Sequence, residues 1–185
     1  DKDIFKKTEL FSYNGVINSI QTDLFKSFTN LRNIKFIPTY LGDLVRKQGI
    51  DWIKSINYDI EKVNLNNPPE FMKDYMEKSV QIGFFIRNSM DLMDERMEFF
   101  NEQDFCLFKN FPFDQLVIFN LYIFNYKKEE IKISFSCTTL WLVHYYPIYL
   151  KYSKSPGLIR ELNKILSAIK NKSCDFETRL KMCNR

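Results

Sequence analysis

The chain of 185 residues carries 27 Lys and Arg against 23 Asp and Glu, with 45% apolar and 16% aromatic side chains. That much apolar surface on a nearly balanced charge excludes an intrinsically disordered chain, and the length suits one globular unit or part of an elongated one. The longest apolar-rich stretches, Leu116–Phe124 and Leu140–Leu150, fall short of the ~20 residues a bilayer crossing needs. With Asp1 first and no cleavable leader before it, a mature or trimmed chain is expected.

Charge is unevenly spread, net −2 over residues 1–150 and +6 over residues 151–185. The basic residues of the tail are spaced and lack interleaved aromatics. They predict a solvated helix face and no nucleic-acid partner. The four cysteines, Cys106, Cys137, Cys174 and Cys183, form no close pair, which argues against structural zinc. Their even number is compatible with two disulfides and an oxidising compartment, or with four free thiols in a cytosolic protein.

In chain order, the first informative stretch runs from Leu10 to Asn66. Apolar residues fall at Ile17, Ile20, Phe25, Phe28, Leu31, Ile34 and Phe36. Three-residue steps suit a coil or tight turn, and the closing step of two suits a short strand. The succession matches a leucine-rich repeat. Ile60, Val63 and Leu65 repeat its strand entry 29 residues on, and Leu10 lies 24 residues before Ile34. Gly15 and Thr39 stand where such repeats carry Asn.

NNPPE then signals a loop and a helix start, with Phe71, Met72, Tyr75, Met76 and Val80 at helical spacing. Met90, Met93, Met97 and Phe100 predict a second core-facing helix stripe, with Asp91, Asp94, Glu95 and Glu98 on its solvated side. In FPFDQLVIFNLYIF the 3-then-2 step of Phe113, Leu116 and Ile118 predicts a further strand. In SPGLIRELNKILSAIK, Ser155 and Pro156 start a helix whose stripe runs from Leu158 to Ile169.

The run CTTLWLVHYYPIYL from Cys137 resembles the C-terminal flanking cap of extracellular leucine-rich-repeat proteins, with Leu140, Trp141 and Leu142 at the family's Leu-Trp-Leu positions. With DFCLFKNFP and the QLV strand, it looks like the ectodomains of leucine-rich-repeat seven-helix receptors. Phe135 stands in place of the family's first cysteine, leaving Cys106 to replace it. The resemblance implies the pairs Cys106–Cys174 and Cys137–Cys183, and a cap that closes the open end of stacked repeats.

No catalytic constellation is readable. His144 is the sole histidine, and the five glycines form no phosphate loop or nucleophile elbow. Neither a metal nor a cofactor is expected. The sequence reading is an α/β chain: a short irregular leucine-rich-repeat solenoid over 1–124, with strands near Ile34–Phe36, Val63–Leu65 and Leu116–Ile118, and a mostly helical cap over 125–185. The expected function is non-enzymatic recognition of a protein or peptide ligand by a cell-surface ectodomain, tethered to any membrane domain outside this chain. By repeat phase its concave face presents Phe11 and Tyr13, then Asn33, Lys35 and Ile37, then Lys62, Asn64 and Asn66. Asn171, in the sole N-x-[ST] triplet, is the candidate glycosylation site. The alternatives are an intracellular adaptor with free thiols and no glycan, or an enzyme of a class without a readable motif.

Overall fold

Segments that alternate branched or aromatic residues with polar ones are suited to a pleated, half-buried surface. A computed structural model describes residues 3–15, 17–36, 41–87, 100–124, 136–145, 148, 167 and 173–184 of the chain. Four segments rich in branched or aromatic residues, of which NIKF alternates most cleanly, form one parallel sheet in sequence order: β1 (Leu10–Tyr13), β2 (Asn33–Phe36), β3 (Val80–Arg87) and β4 (Val117–Phe124). The register sets Phe11, Ile34, Ile82 and Phe119 in one row across all four strands. Ile34 and Ile82 are wholly buried and Phe119 nearly so, so this face carries the core.

Short helices and 3-10 turns complete that core. They include α1 (Leu41–Gln48), α2 (Met72–Met76), α3 (Cys137–Leu142) and α4 (Phe176–Met182). Aromatic rings supply much of the packing. Phe25 meets Phe11, Phe28 and Trp52 with centroids 5.4–6.0 Å apart, and Phe100 meets Phe108 at 4.6 Å and Phe119 at 5.9 Å. An ion pair between exposed Arg46 and buried Asp104 ties α1 to the 3-10 helix Glu102–Phe108. Arg46 donates from Nε and Nη2 to the two oxygens of buried Asp104, at 2.9 and 3.0 Å. Asp104 Oδ2 also accepts from the Asn101 backbone N–H, while Asn101 Oδ1 accepts from Gln103 and Asp104, a reciprocal cap on that helix.

The expected leucine-rich-repeat solenoid with a mostly helical cap is overturned. The described residues form a small four-stranded parallel sheet with few helices, a mixed α/β arrangement in which no solenoid is evident. Successive register partners Leu10, Asn33, Gln81 and Ile118 are 23, 48 and 37 residues apart, so no single repeat length relates the strands. The helix α1 has eight residues and the other three have five to seven.

The expected strand at Val63–Leu65 does not enter the sheet. Both side chains are buried, but the segment is held by Val63 N–H donating to Asp114 O at 2.9 Å. The place beside β2 belongs to β3, whose first residue, Val80, the helical stripe from Phe71 had claimed. That stripe fails because α2 ends at Met76, Phe71 stays 70% exposed, and Ser79 Oγ turns back to Met76 O at 2.8 Å. The strand expected at Leu116–Ile118 exists as β4, starting one residue later. Leu116 itself takes a left-handed φ of 56° while wholly buried.

Candidate functional site

The sheet turns its second face away from the core. Alternation puts Leu10 and Ser12, Asn33 and Lys35, and Gln81 and Gly83 on that side, register partners across β1, β2 and β3. Ser12 is exposed, and Asn33, Lys35 and Gln81 are partly so. Asn33 and Lys35 therefore lie on this second face, which is not the concave face of a solenoid. Phe11 and Tyr13 do not. The ladder pairs Phe11 with Ile34, a step of 23 residues rather than 24, and a slip of one residue turns every side chain to the opposite face. The Phe11 ring meets Phe25, Phe28 and Phe36, whereas Leu10, expected in the core, is 49% exposed. Tyr13 lies on Phe11's side of the strand and is 40% exposed at the sheet edge. Ile37 and Asn171 lie outside the described residues.

Lys62, Asn64 and Asn66 line a different surface. With the loop from Lys109 to Gln115 they border a groove of about 680 Å³, against which Trp141, Tyr145 and Leu180 also lie. The Asn64 side chain caps its own turn, its Oδ1 accepting from the backbone of Asn66 at 3.1 Å and of Asn67 at 3.3 Å. Lys62 Nζ meets Asp114 Oδ2 at 3.1 Å, and Lys54 Nζ meets Asp51 Oδ1 at 2.6 Å. Both are exposed pairs, worth about 0–1 kcal/mol each. Lys109 donates to Cys183 O at 3.3 Å and to Asn184 Oδ1 at 3.0 Å, tying the groove wall to the end of α4. Gln115, Asn110 and the aromatic wall are not among the binding residues of the sequence reading, which assigns Trp141 to a cap and Phe113 to a strand entry. The polar residues Asp114 and Gln115 inside the apolar run FPFDQLVIF are the signal that marks them.

The four cysteines form two disulfides, Cys106–Cys183 and Cys137–Cys174, exchanging the partners that the family resemblance implies. The direction of α4 decides the pairing. Phe176, at its start, stacks on Phe105; Arg179, further on, pairs with Glu102 at 2.8 Å; and Cys183, just past its end, reaches Cys106. Cys174, just before the helix, meets Cys137 at the start of α3. Seven helical residues span about 10 Å, which sets Cys174 and Cys183 at opposite ends of α4, each within 5.3–5.7 Å Cα–Cα of its own partner.

His144 belongs to the aromatic packing beneath α4. Its ring stacks on Trp141 with centroids 5.8 Å apart and meets Phe176 at 5.0 Å and Tyr145 at 4.8 Å. Burial among these rings holds its pKa below the ordinary imidazole value. The unfolded chain then takes up the proton first as pH falls. Stability is expected to be intact above about pH 6.5 and to decline from there down to the folded-state pKa. Urea titrations at pH 7.5 and 5.5 check this, and His144→Asn should flatten the difference. An unchanged pH response in the variant would assign the effect elsewhere.

Among the described residues no three His, Cys, Asp or Glu side chains gather as a metal site, and no helix is long and apolar enough to cross a membrane. Comparison of the chain with protein-family models, with curated proteins and with solved structures finds no match.

Proposed function

We propose that the chain is a non-enzymatic recognition module of a cell-surface receptor ectodomain, binding a protein or peptide ligand on the outer face of its sheet. One observation carries this reading: a parallel sheet whose second face is polar and partly open to solvent over β1, β2 and the start of β3, although Gly83 and Ile118 on the same face are buried. Parallel sheets are ordinarily covered on both faces. Here Ser12, Asn33, Lys35 and Gln81 keep one face polar and at least partly open to solvent. The strands are anchored by the wholly buried Ile34 and Ile82, so their backbone loses little freedom when a ligand docks, which favours binding. Two disulfides, with no cysteine left free, support an oxidising, extracellular setting.

The test is a charge reversal at the middle of this face. Peptides selected from a displayed random library against the oxidised chain are expected to bind Lys35→Glu at least about tenfold more weakly, a change of roughly 1.4 kcal/mol. The variant's urea midpoint should stay within about 0.5 kcal/mol of the parent, as for other surface substitutions. Selected peptides that bind both proteins equally would remove this face from the reading.

A further inference from the structure

We infer that the groove between Lys62–Asn66 and Lys109–Gln115 is a second binding site, and that it takes an acidic peptide segment of a partner protein. The excess of lysines around the groove carries the argument, and Gln115 adds a polar contact. Gln115 is only 8% exposed as a residue and lines the groove, and among the described residues its carboxamide makes no hydrogen bond while its amide atoms still reach solvent. An amide side chain offers a donor and an acceptor side by side, which match the C=O and N–H of a peptide main chain. An amide that reaches solvent from the groove can exchange water for the main chain of a ligand.

The charges around it select the sign of the ligand. Lys54, Lys62 and Lys109 line the groove against one carboxylate, Asp114. The Lys54–Asp51 and Lys62–Asp114 pairs are solvent-exposed, so incoming carboxylates can replace Asp51 and Asp114 with little loss. The rings argue against a sugar platform. Phe113 and Trp141 are buried and meet edge to face at 5.6 Å, so neither offers a flat exposed face for stacking. The volume of about 680 Å³ lies within the ordinary range of ligand sites.

This inference is independent of the sheet-face reading, since Lys35 does not line the groove. The test titrates the oxidised full chain with an N-acetylated hexaglutamate amide at low salt, followed by calorimetry. Saturable binding is expected, weakening with added salt as screening requires. The exposed double variant Lys54→Glu/Lys62→Glu should lose about tenfold or more in affinity and gain binding of hexalysine. Gln115→Met, which keeps the volume and removes the amide, should lose affinity with the near-UV circular dichroism unchanged, whereas Lys35→Glu should bind as the parent does. Absence of saturable binding at millimolar peptide overturns the inference. So does equal affinity in the double-lysine variant, or tighter binding of a sulfated disaccharide than of hexaglutamate.

Discussion

Replacing Trp141 by alanine is expected to destabilise the protein by about 3–5 kcal/mol, the range for emptying a large buried ring site. The indole is 8% exposed and touches rings from four parts of the chain: Phe105 at 5.8 Å, Phe113 at 5.6 Å, Tyr145 at 6.2 Å and Phe176 at 5.3 Å. Its Nε1 donates to Phe108 O at 3.1 Å, so the alanine variant also leaves that carbonyl without its partner. Against a typical total of about 5–15 kcal/mol, such a loss populates the unfolded state measurably at room temperature.

Two controls separate the ring from its N–H. Trp141→Phe keeps most of the packing and loses the hydrogen bond to Phe108, and should cost about 1–3 kcal/mol. Trp52→Phe removes an indole whose buried Nε1 has no partner, so it should cost less than Trp141→Phe although Trp52 is the more deeply buried. Urea unfolding of the oxidised proteins measures all three, with an unchanged m value confirming that stability alone has moved. A Trp141→Ala variant as stable as the parent would mean that α3 and α4 do not pack through this ring.

The same ring shows how local and long-range information divide in this sequence. The Leu-Trp-Leu run at 140–142 is legible as part of an apolar helix, and the structure buries all three residues at the end of α3. What meets the Trp141 ring from α4, Phe176, lies more than thirty residues further on, and no local spacing points to it. The β2 strand is equally legible because NIKF alternates cleanly, with Ile34 and Phe36 buried. β1 is not, because in ELFSY both Leu10 and Phe11 are apolar and either could face inward. The choice is made by a distant cluster, where Phe25 and Phe28 receive the Phe11 ring.

The segment around Val63 fails for a different reason. Burial at Val63 and Leu65 with exposure between them is the pattern of a strand, but the pattern records only which side faces the core. Ladder membership depends on backbone partners, and Val63 finds Asp114 in a turn instead of a neighbouring strand. The residues grouped by a repeat phase therefore divide. Asn33 and Lys35 lie on the sheet, and Lys62, Asn64 and Asn66 line the groove. A single assumed period merged two surfaces that the structure keeps apart.

Removing the Cys137–Cys174 bond with Cys137→Ala/Cys174→Ala is expected to cost about 4 kcal/mol on the chain-entropy model for a loop of 37 residues. The wider Cys106–Cys183 bond closes a loop of 77 residues and encloses the first, so each removal leaves the other as a partial constraint and the two losses should not simply add. α4 makes the double loss severe. At seven residues it is too short to hold as a helix alone, and its side-chain anchors are Phe176 on Phe105 and Trp141 with the Arg179–Glu102 pair. With both bonds absent, α4 should detach and expose the rings around Trp141, seen as loss of near-UV dichroism before the far-UV signal of the sheet declines. The two bonds also differ in access, because Cys106 is exposed and Cys183 half-buried while Cys137 is 2% exposed. Limited treatment with a thiol reductant, followed by alkylation and peptide mapping, should label Cys106 and Cys183 first. Earlier labelling of Cys137 and Cys174 would contradict the packing of α3 beneath its bond, and labelling of Cys106 together with Cys174 would contradict the pairing itself.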